Sequence, residues 1–300
     1  MYLRVFGAGG VATAVTKTCL APLERAKLLL QTQRISKTPE QEQYRTLREY
    51  LLKVPKQEGW FAYWRGNPAS IFKLVPSSLT KFWMHFRIRN YIVSPETNYP
   101  TSEKFIRELA ASALSGSVSM AACYPFDLAR TRLGCEVTKK EVSRVYLGFM
   151  DCLSKTMRDQ GIKGMYKGFV FSLGTQVPYM ALVMTLYDGI LKVKQTPDFQ
   201  NNILLWDYPV VKYISAGSTA AILAQAIFYP ADTIRRRLQV SGARGHHEGY
   251  LNAFHVVSNT LRHEGIAGFY RGCLVNIFRA FPGVAIQLAV YQRLTETRHH

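Results

Sequence analysis

Six long stretches of the chain combine apolar residues with many small ones, and their lengths suit helices that cross a membrane. The pattern predicts long helices over residues 5–34, 68–92, 105–134, 170–194, 209–240 and 274–296. In the first of them, residues at three- and four-residue intervals fall on one helical face, namely Gly10, Thr13, Lys17, Ala21, Glu24, Leu28 and Gln31. That face is too polar for lipid, so we expect it to look into the interior of a bundle.

A shorter helix is predicted within each pair of long ones, over residues 46–57, 148–159 and 252–263. Each short helix runs into a glycine, which is the usual signal for a helix end. An aromatic–base–glycine triplet follows each time. The chain therefore predicts three units of one plan, over residues 1–99, 100–205 and 206–300.

The three units share a proline with a carboxylate two residues later and a cation three residues beyond that. The copies are Pro22-Glu24-Lys27, Pro125-Asp127-Arg130 and Pro230-Asp232-Arg235. Within an apolar segment a charge is costly unless it pairs or lines water. A carboxylate and a cation three residues apart can pair on one helix, but three copies in register favour one shared device.

The net charge of +18 suggests nucleic acid, anionic lipid or an anionic substrate as the partner. No nucleic-acid motif is present, and the cations lie at the ends of apolar segments, so we expect no nucleic acid and favour lipid and anionic substrate. The five cysteines have no metal-ligand or paired spacing, and the histidines have no Ser/His/Asp arrangement. The sequence therefore predicts neither an enzyme, a metal site nor a cofactor.

Proline-x-acid-x-x-base, then acid-Gly-x4-aromatic-base-Gly, written three times, is the signature of the mitochondrial carrier family. The chain resembles that family over essentially its full length, and Gln160 stands where an acid is expected. The resemblance implies an all-α membrane protein with six transmembrane helices plus three short matrix helices in a three-fold pseudosymmetric bundle. It also implies a multi-pass position in the mitochondrial inner membrane and alternating access to a central site.

The same resemblance implies which bases bind substrate. Lys17 stands five residues before Pro22, and Lys73 and Arg279 each stand three residues before the proline of their helix, at the family's contact positions. A multiply charged phosphate in a low-dielectric cavity needs several cations at once. Long basic side chains can also reach toward the interface, but Lys17 lies deep, on the same face as Glu24.

Within the family the segments 17–31 and 124–133 most resemble those of the ADP/ATP carriers, whereas Leu238-Gln239-Val240 replaces the methionines that follow the arginine triplet in those carriers. The ADP/ATP carriers place a glycine–aliphatic pair on the fourth long helix to admit adenine. Thr175 and Gln176 occupy those positions here, while Tyr179 keeps the tyrosine expected to stack on adenine. A polar pair can hydrogen-bond a base, but it also fills the slot. Adenine nucleotides are therefore the first expectation, with another nucleotide or a phosphorylated cofactor second.

The resemblance implies two gates that close in turn. The matrix gate consists of the pairs Glu24–Arg130, Asp127–Arg235 and Asp232–Lys27, with Gln31 and Gln239 as braces and Gly134 in place of the third brace. The cytoplasmic gate would pair Phe86 with Leu191, Asp188 with Thr295 and Gln292 with Arg89. No ion pair survives in this second gate, so we expect a resting state open to the cytosolic side.

Cardiolipin sites in the family combine the aromatic-base-glycine triplet with a second glycine motif at the start of each short helix. Gly66, Gly168 and Gly272 supply the first part, and Gly148 supplies the second part once. Backbone amides at a helix N-terminus suit a phosphate. Cardiolipin is therefore the lipid partner that the sequence predicts.

The sequence thus predicts an inner-membrane carrier that exchanges anionic solutes by antiport. The alternative is a carrier-fold structural subunit of a larger inner-membrane respiratory assembly with reduced or lost transport, whose partners would be other inner-membrane subunits. The filled adenine slot and the depleted cytoplasmic gate favour the alternative. The complete matrix gate and the three phosphate-binding bases favour transport.

Overall fold

The computed structural model describes residues 2–35, 43–92, 100–137, 144–193, 209–244 and 249–296. The described residues form ten α-helices: α1 Tyr2–Thr32, α2 Leu47–Gln57, α3 Asn67–Ile92, α4 Thr101–Cys135, α5 Phe149–Met165, α6 Phe169–Val193, α7 Pro209–Ile227, α8 Tyr229–Val240, α9 Ala253–Glu264 and α10 Cys273–Glu296. Short 3-10 helices at Gln33–Ile35, Trp60–Trp64 and Ile266–Tyr270 adjoin them. The predicted all-α class is confirmed. The predicted boundaries between units fall outside the described residues.

The fifth long helix differs from its prediction, because the chain breaks at Phe228 into α7 and α8 instead of forming one helix over 209–240. Pro230 lies in the first turn of α8. Proline has no N–H group with which to continue the hydrogen-bond ladder of α7, and its fixed φ suits the start of a helix. Pro22 and Pro125 hold the same position in the repeat but lie inside continuous helices.

The short helices α2, α5 and α9 begin next to their predicted first residues, and α2 and α9 also end close to the prediction. The side chains of Thr46 and Asn252 accept hydrogen bonds from the backbone amides of Glu49 and His255, which caps α2 and α9. In α5 the helical geometry is interrupted at Gly161, whose φ of 64° is readily adopted only by glycine. The predicted glycine stop therefore lies inside the range of α5.

Two helical segments within the described residues are long and apolar enough to cross a bilayer by length and composition, Phe169–Lys192 and Ile266–Leu294. The other long helices carry charged and polar residues among the apolar ones. α1 contains Lys17, Glu24, Arg25 and Lys27, for example. Polar residues that line an interior lower the mean hydropathy of a helix without exposing charge to lipid.

The long helices pack in a ring in which each unit adjoins the next. The most extensive contacts join α3 to α4, α6 to α7 and α10 to α1, and each of these pairs joins two different units. Apolar side chains such as Phe82, Val170 and Phe278 are largely exposed, at 73%, 81% and 66%. Such an outer surface suits a surrounding of lipid chains.

The apolar core lies at one end of the bundle, where the short helices pack against the ends of α1, α4 and α8. One cluster joins Leu29 of α1 to Tyr50 and Val54 of α2. Two further clusters join Leu133 to Cys152 and bring Leu238 together with Val256. We call this end, which also holds Pro22, Pro125 and Pro230, the short-helix end.

Three buried arginines, which the sequence analysis did not single out, join the units at this end. Each binds the residue that precedes the glycine stop in its own unit: Arg25 binds Glu58 at 2.8 Å, Arg132 binds Gln160 at 2.8 Å and Arg237 binds Glu264 at 2.6 Å. Each Nε also donates to a backbone carbonyl of the next unit, at Gly134, Gln239 and Gln31, at 3.1–3.3 Å. These three carbonyls lie at equivalent positions of the repeat, so the arginines close a ring.

This arrangement explains the one departure from the repeated motif. Gln160 stands where the other units have a glutamate, and its Oε1 accepts the hydrogen bond from Arg132. An amide oxygen supplies the same acceptor without the charge. The period of the repeat does not reveal these three arginines as one set. Arg132 and Arg237 share a repeat position, but the first unit has Leu29 at that position.

Candidate functional site

Two cavities lie in the interior of the bundle, beside the short-helix end. The first has a volume of about 380 Å³, and its polar lining includes Thr175, Gln176, Tyr179, Gln225, Asn276 and Arg279. The second has a volume of about 250 Å³, and its polar lining includes Thr13, Lys17, Glu24, Gln225, Arg279 and Gln287. Gln225 and Arg279 line both cavities. The predicted substrate residues other than Lys73 are therefore brought together here.

Three carboxylates form the floor of this region, and each contacts two cations. Glu24 contacts Arg130, and it accepts from Arg279 at 2.9 Å. Asp127 contacts Lys73 at 2.7 Å and Arg235 at 3.3 Å, and Asp232 contacts Lys27 at 2.7 Å and Arg236 at 3.5 Å. We call these nine residues the gate network. Its contacts include the three pairs expected for the matrix gate, whose role as a gate stays a prediction.

The second cation on two of the carboxylates comes from the residues expected to bind substrate. Lys73 of α3 lies on Asp127, and Arg279 of α10 lies on Glu24. Lys17 is half-buried in the second cavity and makes no hydrogen bond or ion pair with any described residue. The substrate cations and the gate carboxylates, which the sequence analysis treated as separate sets, therefore form one connected site.

The two predicted braces contact this network differently. Gln31 Nε2 donates to Asp232 Oδ2 at 3.4 Å, beneath the contact between Lys27 and that carboxylate. Gln239 accepts from Thr131 at 2.9 Å and from Arg236 at 3.1 Å, and it makes no hydrogen bond to Asp127 or Arg235. In the second unit the brace position is Gly134, where a Cβ atom would come within 2.9 Å of Leu28. Close packing of α1 against α4 takes the place of a brace there.

The residues expected to contact a base lie on the wall that α6 contributes to the first cavity. The hydroxyl of Thr175 bonds the carbonyls of Phe171 and Ser172 in its own helix. Gln176 leans toward α4, where its Nε2 would lie 3.1 Å from a Cβ atom on Gly116, and its buried Oε1 has no partner among the described residues. Because Gly116 gives it room, Gln176 fills less of the cavity than its volume suggests.

An aromatic pair borders the same cavity. The rings of Tyr179 and Phe228 meet edge to face, with centroids 5.9 Å apart. Phe228 was not recognised from the sequence, and it reaches this position because α7 ends there. The pair gives the cavity an apolar surface against which a flat ring can pack.

Among the described residues, the contacts that a closed cytoplasmic gate would need are not formed at the far end of the bundle. Arg89 bonds Glu108 at 3.2 Å, because α3 and α4 pack side by side, and it does not contact Gln292. Phe86 is 61% exposed, and Asp188 is exposed without a partner among the described residues. The side chain of Thr295 lies outside the description. The contact between Gln292 and Arg89, expected when the cytoplasmic gate is closed, is therefore not formed in this conformation, in which the three matrix-gate pairs are formed. The cytoplasmic gate stays a prediction.

The glycines expected to bind lipid have a structural explanation of their own. Gly66, Gly168 and Gly272 have φ angles of +80°, +80° and +81°, and they precede α3, α6 and α10. A Cβ atom on Gly66 would come within 2.8 Å of a backbone carbonyl of α4. Gly148 has an extended backbone at the start of α5, which any residue can adopt. Packing accounts for the first three glycines, and lipid binding at all four stays a prediction.

Comparison with known proteins agrees with the three-unit plan. The family model described as mitochondrial carrier protein matches residues 2–95, 101–197 and 207–299. The chain is similar to ADP/ATP translocase 4 of Homo sapiens, at 34% identity over 97% of this chain and 90% of that protein. It is also 31% identical to ADP/ATP translocase 3 of Homo sapiens, over 98% of this chain and 96% of that protein. A translocase moves its solute without transforming it, so the prediction that the chain is not an enzyme is confirmed. The chain belongs to the mitochondrial carrier protein family.

Proposed function

We propose that this carrier exchanges anionic solutes, adenine nucleotides first, by alternating access across the mitochondrial inner membrane. One observation supports the proposal above all. Lys27, Arg235 and Arg279 line the first cavity and also hold the carboxylates of the gate network, so an anion that enters must compete with those carboxylates. A phosphate group carries more charge and more acceptor oxygens than a carboxylate, which favours it in that competition.

The geometry suggests how binding is coupled to opening. When a phosphate takes Arg279 from Glu24 and Lys73 from Asp127, each carboxylate keeps one of its two cations. A partly buried pair contributes on the order of 1 kcal/mol after desolvation. Loss of two such contacts weakens the closed short-helix end by roughly 2 kcal/mol. A substrate shifts this equilibrium only by binding the open state better, and the released cations provide that difference.

Three observations support a nucleotide rather than a bare anion. The first cavity, at about 380 Å³, falls within the range of roughly 300–1,000 Å³ that is common for small-molecule sites. The rings of Tyr179 and Phe228 offer a surface for a base. The similar proteins are named ADP/ATP translocases. Gln176 departs from the adenine slot of those carriers, but it packs on Gly116 and leaves the cavity open.

The test is uptake by purified protein in liposomes that contain cardiolipin. Labelled ADP and ATP, inorganic pyrophosphate and an uncharged nucleoside are the four probes. Exchange of the two nucleotides, weaker exchange of pyrophosphate and none of the nucleoside are expected. Arg279→Ala should abolish exchange, and the control Gln287→Leu, in the same cavity lining, should not. A wild-type protein that exchanges no anion would refute transport and support the structural-subunit alternative.

The lipid partner belongs to the same proposal. A cardiolipin phosphate would lie against the first backbone amides of α3, α6 and α10, which begin directly after the three positive-φ glycines. Exchange measured with and without cardiolipin in the liposomes tests this. Equal rates at equal protein incorporation would contradict a cardiolipin requirement.

A further inference from the structure

A chain of hydrogen bonds connects the wall of both cavities to the gate network. Asn276 Nδ2 donates to Gln225 Oε1 at 2.8 Å, and Arg279 donates to Asn276 Oδ1 at 3.3 Å. The other terminal nitrogen of Arg279 donates to Glu24 Oε1 at 2.9 Å, and Glu24 also binds Arg130. Gln225 therefore stands three contacts away from the predicted ion pair between the first two units.

The direction of every bond in this chain is fixed by the arginine. A guanidinium group can only donate, so the oxygen of Asn276 must face Arg279. The nitrogen of Asn276 then faces Gln225, whose oxygen accepts. This leaves the Gln225 nitrogen without a partner among the described residues, on a side chain that lines both cavities. The amide orientations thus follow from the charge of Arg279.

Burial makes this chain of hydrogen bonds rigid. Asn276 is 3% exposed, and both polar ends of its side chain are used. If Gln225 lost its amide, the Asn276 nitrogen would be left buried without an acceptor, which favours rotation of the side chain toward another partner. Arg279 would then lose the contact that orients its guanidinium plane, and its Nε already has no partner among the described residues.

Gln225 occupies the repeat position that is equivalent to Lys17 of the first unit. It lies five residues before Pro230, as Lys17 lies five before Pro22 and Met120 five before Pro125. Lys17 lines the second cavity, Met120 lines the first, and Gln225 lines both. The three units thus present a cation, an apolar group and an amide at one level. Within the described part of the chain, only the amide of Gln225 is linked to a gate carboxylate through hydrogen bonds.

We propose that Gln225 and Asn276 are positioning residues for transport, which hold Arg279 in the orientation that binds Glu24 at rest and the substrate anion on entry. The proposal rests on the proposed function in requiring an anionic substrate. Because it acts through Arg279, it requires no contact with a base. The affinity for pyrophosphate should therefore depend on Gln225 as strongly as the affinity for ADP does.

The experiment compares Gln225→Leu with Gln287→Leu in the full-length carrier in liposomes. Both changes replace a glutamine in the lining of the second cavity, but Gln287 contacts Thr13 at 3.5 Å and not Arg279. Initial exchange rates against ADP and against pyrophosphate give KM and Vmax. Gln225→Leu should raise KM about three- to tenfold for both anions, the value of about one hydrogen bond. Vmax should change by less than about twofold. Gln287→Leu, which removes no contact to Arg279, should raise KM by clearly less than Gln225→Leu does.

A double variant separates positioning from simple packing. If the two amides act as one unit, Gln225→Leu combined with Asn276→Leu should raise KM no further than Asn276→Leu alone. Additive increases, or equal KM values for Gln225→Leu and Gln287→Leu, would overturn the inference. If the Asn276 variants do not fold, the comparison of KM between Gln225→Leu and Gln287→Leu tests the inference by itself. A wild-type carrier that exchanges no anion would refute the proposed function first, which is a distinct outcome.

Discussion

Asp127→Asn is the change that most directly tests the gate network. One oxygen of this carboxylate contacts Lys73 of the first unit and Arg235 of the third, at 2.7 and 3.3 Å. Asparagine keeps the size of the side chain and removes the charge. Both contacts would be reduced at once, and two like charges would be left facing each other across the floor of the bundle.

The size of the effect follows from burial. The side chains of Asp127, Lys73 and Arg235 are 10%, 27% and 20% exposed. An exposed ion pair contributes at most about 1 kcal/mol, whereas removal of one partner from a buried pair costs about 3–5 kcal/mol. These exposures are closer to the buried case, so we expect the closed short-helix end to lose roughly 3 kcal/mol. That corresponds to a change in population on the order of a hundredfold.

Accessibility of the first cavity from the short-helix side measures this population. A single cysteine at Met120, which lines that cavity, serves as the reporter in a background without the five native cysteines. A membrane-impermeant maleimide is added to vesicles that expose only the short-helix end. Asp127→Asn should speed labelling at least about tenfold, because the closed state no longer dominates.

Asp188→Asn is the matched control. It removes the same charge from an exposed carboxylate that has no partner among the described residues. This variant should label at the wild-type rate. The reasoning would be refuted by an Asp127→Asn variant that is as stable as wild type and labels no faster. Equal acceleration by Asp188→Asn would show that net charge, not the network, sets the rate.

Three further predictions follow from single contacts. Glu264→Gln should lower the unfolding free energy in detergent by at most about 1 kcal/mol, because Gln160 already accepts the hydrogen bond from Arg132 in the second unit, whereas Glu264→Ala should lower it by about 3–5 kcal/mol because buried Arg237 loses its partner. Equal losses in the two variants would contradict this. Gly116→Ala should push Gln176 into the first cavity and lower the ratio of the affinity for ADP to that for pyrophosphate severalfold, whereas the control Gly217→Ala, whose Cβ atom would contact Tyr187 at an ordinary 3.8 Å, should leave this affinity ratio unchanged. An unchanged affinity ratio in Gly116→Ala would contradict a base-binding position near Gln176. Burial raises the pKa of the Cys152 thiol to about 11, so iodoacetamide should modify this thiol slowly at pH 8 and faster as the pH rises toward 11. Mass spectrometry measures the modification, the SDS-unfolded chain is the control, and rapid modification of the folded protein at pH 8 would contradict the prediction.

Much of the architecture could be predicted from the sequence because it is written three times. The period of the repeat placed the long and short helices, and a glycine stop such as Gly265 marked where a short helix ends. The break at Phe228 could not be predicted from a proline that all three units share. Pro22 and Pro125 lie in continuous helices, so the shared proline alone does not determine where a helix breaks.

The candidate site was predictable residue by residue but not in its connections. The repeated proline, carboxylate and cation motif, together with the family resemblance, indicated both partners of each expected gate pair. That Lys73 and Arg279 also reach those carboxylates depends on where α3 and α10 cross α4 and α1, which the sequence does not state. The Arg25–Glu58 contact was missed for a similar reason, because in the first unit the arginine lies one helical turn earlier than in the other two.

The departures from three-fold symmetry are concentrated where an asymmetric substrate would need them. Carboxylates are present in all three units at the floor, and so are the buried arginine links beneath it. One level higher, the equivalent positions hold Lys17, Met120 and Gln225. The proposed gate must close equally on all sides, whereas the proposed nucleotide substrate has a charged end and a flat end that need different walls. The short-helix end can therefore keep its symmetry, and the cavity above it must lose it.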